Sequence, residues 1–244
     1  MQNRYVGDTG DYVKLAILRA LAPGRRLGVA WWLFPDSGPT GDGRHAAYLQ
    51  APGRWRHFDP VLFDVLGQVV ASGRRQVVAL EEADLLPGAT YFSGVIPAGL
   101  TPAECGIQRT AWFDRCKAHL TGCDLVFLDP DNGFETTGFS PRTRSAGKSV
   151  SLSELSALQQ PGRTLIAYHH HTPRAGGHLA ELAYWAGRLR AQGFERVDAL
   201  RASPYSPHAF FLLNGDDVIR DRARALVQQW QDLISWHSEP PNDG

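Results

Sequence analysis

The stretch from 196 to 214 constrains the fold more than any other. Two apolar runs, "RVDALRA" and "HAFFLLN", are separated only by "SPYSP". A parallel crossover needs a dozen or more residues, so these runs form an antiparallel hairpin. Upstream the pattern is different. "RLGVAWWLF", "RQVVALEE", "ATYFSGVIP", "DLVFLD" and "RTLIAYHHH" read as strands, several apolar without alternation, as in a sheet covered on both faces. Between them lie helical patterns. "DYVKLAILRAL" has apolar residues at 13, 17, 18 and 21, with Asp11 as its N-cap. "DPVLFDVLGQVVASG" has Asp59 as cap, Pro60 in the first turn and Gly73 past its end. Further helices are read in "TPAECGIQRTAWFDRCKAHLTG", "SLSELSALQQPG", "HLAELAYWAGRLRAQGF" and "DDVIRDRARALVQQWQDLI". Residues 136–150 read as a polar loop.

Alternating β and α elements predict an α/β, doubly wound, mostly parallel sheet ending in the antiparallel hairpin. One domain over 1–237 is expected, with 238–244 as a disordered tail. The 244 residues suffice for a full core. Twenty-five basic residues balance 25 acidic ones, so there is no global field for nucleic acid. RNA or DNA would have to meet a local basic patch, for which Arg142, Arg144 and Lys148 are candidates. No apolar run approaches the roughly 18 residues of a membrane span, and "MQNRYVGDTGDY" is too polar for a signal peptide. Cys105, Cys116 and Cys123 lack metal-like spacing and read as free thiols in a reducing cytoplasm.

In open α/β sheets ligands bind outside the carboxyl ends of the strands. The run "DLVFLDPDNGFE" places Asp129, Pro130, Asp131, Asn132, Phe134 and Glu135 at such an end, more polar groups than a turn requires. The first strand runs into Asp36, Gly38, Gly41 and Gly43, where glycines would let a backbone approach a ligand. The second ends at Glu81 and Glu82, a carboxylate suited to ribose hydroxyls. The fifth ends in His169, His170 and His171. Alternation sends His169 and His171 to one face, where they would bind substrate by hydrogen bonds. With a carboxylate they could also hold Zn²⁺ or Fe²⁺.

The hairpin after a parallel sheet resembles the class I S-adenosylmethionine-dependent methyltransferases. That architecture implies a Rossmann-like, mostly parallel seven-strand sheet with one antiparallel strand. The chain further resembles the bacterial J-type ribosomal RNA adenine-N6 methyltransferases. That family carries G-N-H-A-D-V-x-K before its first strand, against "GDTGDYVK" at 7–14 here, matching at Gly7, Asp11 and Lys14. Its D-P-P-Y-E corresponds to "DPDNGFE", matching at Asp129 and Pro130. The resemblance implies S-adenosylmethionine as cofactor, bound near Asp11, the glycine loop and Glu81. It implies an amine substrate in a nucleic acid or nucleotide. Asp129 would orient the amine, Pro130 would shape the turn, and Lys14 would lie near the site. Asn132 stands where the family has its stacking aromatic, and Asp131 replaces the second proline. Phe134 would serve as the stacking ring only in a reshaped loop.

Two rival readings stand beside this one. Asp129, Asp131 and Glu135 are hard oxygen ligands, as in a Mg²⁺-dependent nuclease or phosphohydrolase. The missing aromatic also fits a methyltransferase-like binding module without catalysis.

Overall fold

The structure is a computed structural model that describes residues 1–36, 45–98, 101–204 and 207–238. Its helices are α1 (Thr9–Leu21), α2 (Pro52–Trp55), α3 (Pro60–Ala71), α4 (Val77–Glu82), α5 (Pro102–His119), α6 (Leu152–Ala157), α7 (Gly177–Arg190) and α8 (Asp217–Gln229). Its strands are β1 (Leu27–Ala30), β2 (Thr90–Phe92), β3 (Leu125–Leu128), β4 (Gly133–Phe134), β5 (Ser149–Val150), β6 (Thr164–His170), β7 (Val197–Ala202), β8 (His208–Leu213) and β9 (Ile234–Ser238).

The main sheet has seven strands in the order β2-β1-β3-β6-β8-β7-β9. The first four are parallel. β8 lies antiparallel between β6 and β7, so the expected hairpin is present and β7 again runs with the parallel set. β9 adds a second antiparallel strand outside β7. The methyltransferase architecture implies only one. β4 and β5 form a separate two-strand ladder.

Alternation along buried strands builds two cores. Leu125 and Phe127 of β3 join side chains of α1, α3 and α8 on one face. Val126 and Leu128 join α5, α6 and α7 on the other. All four are fully buried, each contributing about 1.5–3 kcal/mol. The helix starts follow the expected chemistry at α3, where Asp59 accepts from the Leu62 N–H behind Pro60. At α5, Thr101 and Glu104 form a capping box.

Four sequence expectations are corrected. "RQVVALEE" is not a strand: α4 occupies it, because burying Val77 and Leu80 three residues apart suits a helical turn. β2 comes instead from "ATYFSGVIP". The cap of α1 is Asp8, whose side chain accepts from the Asp11 N–H, so Asp11 lies inside the helix. The last helical pattern stops at Gln229, and "ISWHS" forms β9, with Ser238 its last residue rather than the start of a tail. Residues 136–150 are not wholly loop, since a short 3₁₀ turn (Arg144–Lys148) leads into β5. Among the described residues no helix is long and apolar enough to cross a membrane.

Candidate functional site

The site grows from two chain ends that the fold brings together, the N-terminus of α1 and the carboxyl end of β3. Lys14 projects from the second turn of α1. Its Nζ donates to Asp11 Oδ1 at 2.8 Å and to Asp129 Oδ2 at 2.6 Å, and all three side chains are buried. Burial pulls the Lys14 ammonium down, but Asp11 and Asp129 outweigh it and hold the proton on. Burial likewise lifts the Asp129 carboxyl above the usual carboxylate range, against the pull of Lys14. Asp11 is fixed by a second bond, accepting at Oδ2 from the Gly7 N–H at 2.9 Å.

The segment after β3 is held by its backbone and by the first residues of the chain. The Met1 ammonium donates to the Asp129 carbonyl at 2.6 Å and the Trp32 carbonyl at 3.2 Å, and pairs with Asp131 Oδ1 at 2.8 Å. Gln2 donates to the other Asp131 oxygen. The Asn132 N–H donates to the Lys148 carbonyl at 2.8 Å. The 3₁₀ turn that holds Lys148 is in turn tied down by Arg109, which donates to the Ala146 and Ser149 carbonyls and pairs with Glu154.

These groups surround a cavity of about 360 Å³, within the range of small-ligand sites. It lies outside the carboxyl ends of β3 and β6, next to the point where the order reverses between β1 and β3. Of the residues singled out in the sequence, Asp11, Lys14, Asp129, Pro130, Asp131 and Asn132 all line it.

The others are placed elsewhere. Asp36 is exposed, 3.9 Å from Arg4. Gly38, Gly41 and Gly43 lie outside the described residues. Glu81 comes from α4, not from a strand end, and accepts from Trp31 Nε1 at 2.7 Å and from the Ser93 hydroxyl. Trp31 and Ser93 directly follow β1 and β2, so Glu81 reaches the rim without lining the cavity. Glu82 is turned outward to Arg74. Phe134 is buried, stacked on His169 with ring centroids 4.9 Å apart, and so presents no face to a base. Glu135 accepts from the Leu152 N–H at 3.3 Å and lies 3.7 Å from Arg188.

His169 and His171 do share a face, but it is the face packed on α7. Both bond Glu181, which also accepts from the Thr172 N–H. His169 Nδ1 accepts from the Phe134 N–H at 3.2 Å, so its proton sits on Nε2, toward Glu181. Burial keeps this ring neutral by lowering its pKa. The cavity is lined instead by residues the sequence did not single out for it: Asp8, Tyr168, His170 and His208. Strand parity is the signal that would have found Tyr168 and His170.

Two metal readings can be tested on donor chemistry. Among the described residues, His171, His178 and Glu181 offer three ligand atoms within 4.8 Å of one another. Yet Arg201 Nε donates to His178 Nδ1 at 2.8 Å. Burial first, then His171 and Arg201, pull His178 down to about 4. A neutral ring accepting at Nδ1 carries its proton on Nε2 and has no lone pair left for a metal. The cluster works as a brace for the end of β6. The Mg²⁺ trio fares no better, since Asp129 and Asp131 are matched by ammonium groups and Glu135 lies outside the cavity.

The chain matches no protein-family model and no curated protein in sequence.

Proposed function

We propose that the chain is a class I S-adenosylmethionine-dependent methyltransferase-type domain acting on an amine of a nucleic acid or nucleotide. One observation carries the reading. Asp129 is 3% exposed, one of its oxygens is fixed by Lys14, and the other, Oδ1, meets no donor among the described residues. A carboxylate pinned at one oxygen and open at the other into a cavity is an oriented acceptor for an amine N–H. Orientation is the main gain in such a displacement, because it aims the nitrogen lone pair at the methyl carbon.

S-adenosylmethionine would supply an electrophilic methyl group on a sulfonium. The wall suits a cation, since Asp8, Asp11, Asp129 and Asp131 face Lys14, Lys148 and the Met1 ammonium. Asn132, exposed at the cavity, stands where a stacking ring would be, so a base would be held by amide hydrogen bonds rather than by stacking. Lys148 lies over the Phe34 ring at 5.4 Å and has no carboxylate partner among the described residues, which leaves its charge for a substrate phosphate.

The test is transfer of labelled methyl from S-adenosylmethionine to total RNA and to DNA, with and without chelator. Transfer indifferent to chelator is expected. Asp129→Asn should still fold cooperatively, with a modestly lowered melting temperature, and lose at least about 10²-fold in rate. Full activity in Asp129→Asn would overturn the assignment. Strand cleavage that needs Mg²⁺ would favour the nuclease, and cofactor binding without transfer to any acceptor would favour the inactive module.

A further inference from the structure

A second carboxylate in the cavity is also only half satisfied. Asp8 accepts at Oδ1 from the Asp11 N–H at 3.0 Å, and its other oxygen has no protein donor among the described residues. The cations nearby are committed elsewhere. Lys14 is shared by Asp11 and Asp129, and the Met1 ammonium pairs with Asp131. Among the described residues no ammonium or guanidinium pairs with Asp8. The cavity thus holds two open carboxylate oxygens, one on Asp129 and one on Asp8, the first on a side chain almost wholly removed from water.

We infer that Asp8 is the counter-charge for the positive centre of the ligand, a sulfonium, and that it makes the cavity selective for that cation over the corresponding neutral thioether. The inference rests on the methyltransferase reading, in which both molecules enter the same cavity. It assigns a role to a residue that cofactor patterns in the sequence did not mark.

The surroundings of Asp8 give the inference a pH signature. Asp11 and Lys14 face it from its own helix, Arg75 from the turn after α3, and Tyr48 from the short helix at 47–50, while His45 lines the same cavity. Burial, then Asp11, push its carboxyl up to about 7, with the Asp11 N–H, Lys14 and Arg75 pulling the other way. A cation beside Asp8 favours the ionised form, so binding expels a proton wherever Asp8 is partly protonated. Affinity for the cation should therefore rise by about tenfold from pH 6 to pH 8 and level off above, following the ionised fraction of a group titrating near 7.

The experiment is calorimetric titration of the whole chain with S-adenosylmethionine and S-adenosylhomocysteine at pH 6, 7 and 8. At pH 7 it is repeated in two buffers of different ionisation enthalpy to count released protons. The two ligands differ at the sulfur and share the rest, so their difference isolates the sulfonium. The expected result is a rise in affinity with pH and proton release for the sulfonium, and a much flatter profile for the thioether. Asp8→Asn keeps a side chain that caps helices as well as Asp does but cannot titrate, and should flatten the sulfonium profile. If both ligands bind and the sulfonium profile is flat in the native chain, or persists in Asp8→Asn, the role of Asp8 is overturned and the methyltransferase reading stands. If neither ligand binds at millimolar concentration, the methyltransferase reading falls and takes this inference with it. Should Asp8→Asn fold poorly, the proton count on the native chain decides alone.

Discussion

Lys14→Met is expected to destabilise the protein by about 3–5 kcal/mol, the cost of removing one partner from a buried ionic group. Methionine matches the length of the stem, so the loss is not one of packing. It arises because Asp11 and Asp129 would stand 1% and 3% exposed with their shared cation gone. Urea unfolding should place the variant's midpoint well below that of the native chain. The deficit should depend on pH with a definite sign. In the variant the Asp129 carboxyl, already lifted by burial, loses the ammonium that pulls it down, so its burial is tolerated when protonated and penalised when ionised. The gap between variant and native chain should therefore widen from pH 5 to pH 8. A loss under about 1 kcal/mol at pH 8 would mean the three groups do not form the coupled buried unit described above. Asp129→Asn should be milder, since Lys14 keeps Asp11.

Gly133→Ala is the second large effect, expected at about 2–4 kcal/mol. Gly133 has φ +84°, a conformation that resists any side chain, and a Cβ there would stand 2.5 Å from the Cα of His169. The imidazole of His169 stands equally close, and the Cα behind it cannot rotate away. Strain at positive φ costs about 1 kcal/mol and overpacking about 1–3 kcal/mol more. The substitution also pushes β4 off β6 and carries Asp131 and Asn132 with it. Ligand affinity should fall further than the melting temperature suggests, measured at a temperature where the variant is still fully folded. An unchanged melting curve would show that the turn after β3 is not seated on β6.

The parallel half of the sheet was legible because its strands are short apolar runs with no polar face. The hairpin was legible because five residues allow no other connection. Asp129 was legible because it opens a turn more polar than a turn requires, directly after a buried apolar run; its pairing with Lys14 was not. The rest required register. Leu125, Phe127 and Asp129 share one parity on β3, and Phe127 pairs with Ile166 on β6, so Tyr168 and His170 fall beside Asp129 while His169 turns to the other face. Nothing in "YHHH" says which histidine faces the ligand until that pairing is known. "RQVVALEE" misled because two adjacent β-branched residues favour a strand locally, yet the burial of Val77 and Leu80 against the α1 side of the sheet settled on a single helical turn and a half. β9 was hidden behind a helical pattern that continues past the point where Trp230 turns the chain.

The insertion of β8 between β6 and β7 sets an order of assembly during synthesis. β6 ends at residue 170, but its neighbour on that side, from His170↔His208 to Leu165↔Leu213, leaves the ribosome about 40 residues later. Until then the nascent chain carries β6 as a bare edge, with open N–H and C=O groups on a strand whose side chains are meant for two cores. The cavity wall at Tyr168, His170 and His208 is likewise unfinished over that interval. Long-range pairing of this kind is slow to form, so partial chains released near residue 200 are the ones most exposed to aggregation.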